Sequence, residues 1–149
     1  MFEALAVSGE PDLKLLGLSL WALVRAFPES DEDWDRNWIN ILAIVQAPGS
    51  RVEVGGPLLR SNEIAKFTGQ LETLYADLRG TAELACIEPA LNIKIVCGSN
   101  GQMEATINIT PDHMTQSHCI VFSLDQSYLP PVISSCKRML ERFPVLGAA

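Results

Sequence analysis

Apolar residues recur along this chain at two periods, and the switches between them mark its elements. In "RSNEIAKFTGQLETLYADLRG" (60–80) the apolar positions are Ile64, Phe67, Leu71, Leu74, Tyr75 and Leu78. Their three-and-four spacing draws one stripe down a helix. Ser61 is placed to cap its start, Glu63 suits the positive end, and Arg79-Gly80 ends it. "QSYLPPVISSCKRMLERFP" (126–144) predicts a second helix with a stripe of Leu129, Ile133, Cys136, Leu140 and Phe143. Its two prolines fit only the first turn, and Lys137, Arg138 and Arg142 lie toward the negative end.

Elsewhere the period falls to two. Residues 38–46, 50–56, 82–88, 91–98, 103–110 and 117–124 read as strands, with turns at Ala47-Pro48-Gly49, Glu88-Pro89 and 98–101. Short connections favour antiparallel pairing, because parallel strands need long crossovers. The expected fold class is therefore α+β: an antiparallel meander sheet of about six to seven strands, with two amphipathic helices packed on one face. No linker, repeat or low-complexity tract interrupts the chain, so residues 1–149 are expected to form one α+β domain. The apolar segment 13–27 resembles a membrane span, but its uncharged run from Leu15 to Val24 is ten residues long. A bilayer needs about 20. Glu3, Glu10 and Asp12 precede it where a secretion signal carries basic residues. A buried strand or core helix is expected there.

Charge narrows the partners. Eighteen acidic residues against 11 basic ones give a formal net charge of −7, which opposes direct binding to nucleic acid or to anionic membranes and suits a basic protein partner. The four cysteines, Cys86, Cys97, Cys119 and Cys136, lie in apolar segments without a CxxC pair. They are expected to be free, buried thiols in a reducing cytoplasm.

The densest charge is "ESDEDWDRNW" (29–38), with five carboxylates, two tryptophans and Arg36 as the one balancing charge. Asp31, Asp33 and Asp35 match the first positions of a calcium loop, but Arg36 stands where its glycine belongs and Leu42 where its bidentate glutamate belongs. His113 and His118, with Cys119 adjoining, are too few for a zinc site. A Cys–His nucleophile needs a stabilised thiolate, which an apolar strand disfavours. Gly55-Gly56-Pro57 is too short to cradle a phosphate. No catalytic residue, metal ligand or cofactor is assigned, and the chain is not expected to be an enzyme.

Acidic residues leading into "WINI" (38–41), then "GGPLL" (55–59), the helix carrying Phe67 and Leu71, "IEPALNIKI" (87–95) and a final "ERFP" follow in that order. This arrangement, over roughly residues 27 to 144, resembles the WapI-type bacterial immunity proteins, whose "D-x-N-W-L", "G-P" and "E-P-x-L" steps fall here on Asp35, Asn37, Trp38, Gly56, Pro57, Glu88, Pro89 and Leu91. The resemblance implies a non-catalytic cytoplasmic protein that neutralises a cognate toxin domain, commonly a nuclease, by steric and electrostatic occlusion. Glu29, Asp31, Glu32, Asp33 and Asp35 would then steer a basic toxin surface, with Trp34 as an aromatic anchor and Trp38 in the core. Two other classes stay open: a secretion-chaperone-like binder of an effector segment, and a small enzyme or cation-dependent module using His113, His118 and the acidic stretch.

Overall fold

The computed structural model describes residues 9–147. The apolar segment is a pair of strands: β1 (Leu13–Leu15) turns through Leu16-Gly17 into β2 (Leu18–Arg25). A one-turn helix, α1 (Asp33–Arg36), leads into β3 (Trp38–Ala47), and Pro48-Gly49 returns the chain as β4 (Ser50–Arg60). These strands make one antiparallel sheet in the order β1-β2-β3-β4. Gly17 lets the β1–β2 turn close against the end of β3. Its carbonyl accepts from the Gln46 amide at 2.9 Å. A Cβ at this position would lie 2.0 Å from the Gln46 carbonyl oxygen and 2.8 Å from the Phe122 ring.

Strand β4 passes directly into α2 (Ser61–Asp77). A second antiparallel meander follows: β5 (Gly80–Ala85), β6 (Leu91–Cys97), β7 (Met103–Ile109) and β8 (Cys119–Leu124). Helix α3 (Leu129–Arg142) closes the fold, with Pro130 and Pro131 in its first turn, where their missing amides cost no helical bond. The helices pack on each other, α2 also against β5 and α3 against β1. Their buried faces and the inward residues of both sheets share one apolar core, with Phe67, Leu71 and Ile107 fully enclosed. No helix among the described residues is long and apolar enough to cross a membrane.

The α+β class and the two long helices agree with the periodicity, but the single sheet of six to seven strands does not. Among the described residues there are eight strands in two four-stranded sheets. The reason is the abrupt β4–α2 junction, which carries the chain away from β4 before β5 begins, so these two strands never pair. The stripe of α3 is also rotated: Val132 and Met139 are buried with Leu129, Cys136 and Phe143, while Ile133 and Leu140 are half-buried at its flank. On α2, Tyr75 and Leu78 are exposed. Leu78 leaves the helix in the left-handed conformation at φ 52°, before the expected Arg79-Gly80 stop. Ser61 is not the cap; the N-cap position is Arg60.

Candidate functional site

Trp38 opens β3 opposite Arg60, the last residue of β4. That register packs the guanidinium of Arg60 over the Trp38 ring at 5.4 Å from its centroid. From above, α1 lays the Trp34 ring on the same guanidinium at 4.0 Å. Arg60 is 5% exposed and Glu63, one turn into α2, is 7% exposed. Glu63 Oε1 accepts the Arg60 backbone amide at 2.8 Å, half of a capping box, and Oε2 accepts Arg60 Nη2 at 3.3 Å. The same Oε2 accepts the Ile87 amide at 3.0 Å, so one carboxylate ties the end of the first sheet to the chain leaving β5. Arg60 Nε and Nη1 have no hydrogen-bond acceptor among the described residues. The two indole faces partly compensate them, since a desolvated cation over an aromatic ring gains about 2 kcal/mol.

The acidic segment stands on this base. Asn37 is fully buried: its amide donates to the carbonyls of Asp33 (2.9 Å) and Leu146 (3.0 Å), and its Oδ1 accepts the Leu146 amide (2.9 Å). Arg25 donates to the Asn37 carbonyl at 3.2 Å, to Ser61 Oγ at 2.8 Å and to the Pro144 carbonyl. Partial burial, and then the charge of Arg36, hold its pKa below the ordinary arginine value. Strand β2, the α1–β3 junction, the start of α2 and the chain after α3 are thus bound at one point.

Of the six residues expected to meet a partner, Glu29, Asp31 and Glu32 are exposed and Asp33 and Asp35 are half-buried. Asp33 pairs with Arg36, and Asp35 Oδ2 accepts from Ser30 Oγ at 3.5 Å. Trp34 is 52% exposed; one ring face covers Arg60 and the rest meets solvent. Trp38, expected in the core, is buried.

His113 and His118 lie on the loop before β8, whereas the acidic segment precedes β3. His118 Nε2 bonds Gln116 Oε1 at 3.0 Å. No group of three or more His, Cys, Asp or Glu is placed to hold a metal ion among the described residues.

The thiols depart from expectation in one case. All four cysteines are free, Cys97 and Cys136 are buried and Cys86 is partly buried, but Cys119 is exposed. Strand alternation puts it on the outer face of β8, although its neighbours are apolar. Burial pushes the Cys86 thiol up, as does the charge of Glu63. Burial likewise pushes Cys136 up to about 11. The thiolate fraction of these two at neutral pH is lowered accordingly. At pH 8 a maleimide should therefore label one thiol per chain rapidly and the others only on unfolding. Cys119→Ser should abolish the fast phase; a second fast thiol would contradict the burial described.

Arg25, Arg60 and Glu63 were not legible as parts of this site. The one local signal was Glu63 at the third helical position, where a carboxylate reaches back to the first free amide. The segments carrying Asn37-Trp38, Gly56-Pro57 and Glu88-Pro89 come together around the start of α2, through the β3–β4 register and the Glu63–Ile87 bond. A family model described as the immunity protein WapI-like family matches residues 13–144, which span every element from β1 to α3. No curated protein and no solved structure matches the chain.

Proposed function

Since this chain belongs to the WapI-like immunity protein family, we propose that it neutralises a cognate toxin domain in the cytoplasm by docking Glu29, Asp31, Glu32, Asp33, Trp34 and Asp35 on a basic toxin surface. A nuclease fits best, because a surface that holds phosphates is basic. Neutralisation is by steric and electrostatic occlusion, with no chemistry by this chain.

The observation that carries this reading is the placement of Trp34. An aromatic ring with one face fixed on a buried guanidinium and the remainder open has little conformational freedom to lose on binding. Carboxylates flank it along the chain, which is bound below through Asn37 and Arg25. Such a rigid aromatic centre with a charged rim suits a hot spot whose rim sets the association rate.

The test is stopped-flow association with the cognate toxin domain, alongside rescue of growth on coexpression. Glu29→Gln, Asp31→Asn and Glu32→Gln combined leave every described side-chain pairing intact. They should slow association about tenfold at low salt and flatten its salt dependence. Trp34→Ala should instead raise the dissociation rate, by a factor on the order of 30 or more for a central anchor. Unchanged association rate and salt slope in the triple variant would remove the acidic segment from the interface.

A further inference from the structure

Two four-stranded sheets have four edges, and three of them are visibly protected. Strand β1 is three residues long and carries Lys14. Strand β4 carries Arg51, Glu53 and Pro57, and its register with β3 shifts at Ile39/Asn40. Strand β5 lies under α2, whose Gln70 Oε1 accepts the Glu83 amide at 2.8 Å, while Glu63 takes the Ile87 amide beyond it. These are the devices by which sheet proteins prevent edge-to-edge pairing.

Strand β8 has none of them. "CIVFSL" (119–124) contains no charge and no proline, and its register with β7 is unbroken. The Ile109 amide donates to the His118 carbonyl at 3.1 Å, which sets the alternation along the β7–β8 ladder. His118, Ile120, Phe122 and Leu124 bond inward to β7, so the amides and carbonyls of Cys119, Val121 and Ser123 point out of the sheet. No hydrogen bond among the described residues uses them. Cys119 and Ser123 are exposed, and Val121 is 52% exposed.

We infer that β8 is the pairing edge for a second copy of this chain, joining the two β5–β8 sheets antiparallel across a two-fold axis. Centring the axis on Val121 sets it opposite Val121 of the second copy and sets Cys119 opposite Ser123 at both ends. All three outward positions then become hydrogen-bonded pairs, making about six backbone bonds. The same patch serves both copies, as a two-fold interface requires. Charge fits this register: Asp125 falls opposite Ser117 and beside His118 of the second copy. Glu104, next to Ser123 on β7, faces across toward Asn108 of the second copy, and no like charges are opposed. The net −7 of each chain opposes association only at longer range, where salt screens it beyond about 8 Å. Pairing between copies should thus strengthen with added salt, opposite in sign to docking by the acidic segment, so the two readings fail separately.

Sedimentation velocity over a concentration series of the full chain should show a monomer passing to a dimer, shifted toward dimer by salt. Hydrogen exchange should show the Cys119, Val121 and Ser123 amides protected only at high concentration. Val121→Pro deletes an outward amide and leaves the β7 ladder intact; it should weaken dimerisation on the order of 10- to 100-fold. Ser123→Lys, an exposed substitution that leaves the fold untouched, should do the same. Ser123→Cys, oxidised at high concentration, should link to Cys119 of the second copy. A wild-type chain that stays monomeric throughout, or a dimer that survives both Val121→Pro and Ser123→Lys, would overturn the inference. So would protection of these three amides appearing only when the toxin domain is added, which would give the edge to the toxin.

Discussion

Arg60→Met is expected to destabilise the fold by about 3–5 kcal/mol, the range for removing one member of a buried ion pair. The loss is in what remains. Glu63, 7% exposed, keeps its bonds from the Arg60 and Ile87 amides and loses the one guanidinium that pairs with it among the described residues. Trp34 and Trp38 lose the cation between them as well. Equilibrium urea unfolding measures the effect directly. Arg60→Met combined with Glu63→Gln should recover only part of the loss: it removes the unpaired buried charge, but the single amide oxygen keeps one of the two backbone N–H groups and the other loses its acceptor. The double-mutant cycle then isolates the pair. A cost below about 1 kcal/mol for Arg60→Met would mean that the pair is solvated and holds nothing together.

Gly17→Ala is expected to cost about 3 kcal/mol or more, at the upper end of overpacking substitutions. The new methyl would overlap the Gln46 carbonyl oxygen at 2.0 Å and press on the Phe122 ring at 2.8 Å. The ring can rotate away, but a backbone oxygen in a paired strand cannot. Relief therefore requires the β1–β2 turn to lift off β3, losing the bond from the Gln46 amide. Gly69→Ala gives the opposite sign. Gly69 lies within α2 with open space where its Cβ would stand, so alanine should stabilise by roughly 0.5–1 kcal/mol through helix propensity. Denaturant midpoints moving apart in these two variants would check both statements at once. A near-neutral Gly17→Ala would show that the turn does not sit against β3.

Most of the secondary structure was legible because periodicity is a local property. Ile64, Phe67, Leu71 and Leu74 mark a helix from their spacing alone, and all four are buried as that spacing requires. The meander from β5 to β8 could be read from alternation and short turns. Residues 13–27 defeated the same method, since a short apolar run is compatible with a strand or a core helix. The structure resolves it through Leu16-Gly17, a two-residue turn with Leu16 at φ 55°. For α3, Leu129, Cys136 and Phe143 are buried as the spacing requires, while Ile133 and Leu140 pack half-buried against the core, because apolar residues occupy both flanks of the stripe. Packing against β1 and α2 selects Val132 and Met139.

The candidate site divides in the same way. The sequence alone determined the carboxylate density of residues 29–35, the net charge, the burial of Trp38 and the ordered steps shared with the immunity family. Each follows from residue type or from order along the chain. Only the tertiary structure decided that the strands form two sheets, that Trp34 stacks on Arg60, that Asn37 grips Leu146 from 109 positions away, and that, among the described residues, no hydrogen bond meets the outward backbone groups of β8. Those features are contacts between residues far apart in sequence. Their energy comes from burial and pairing that exist only once both partners are in place, so no local pattern encodes them.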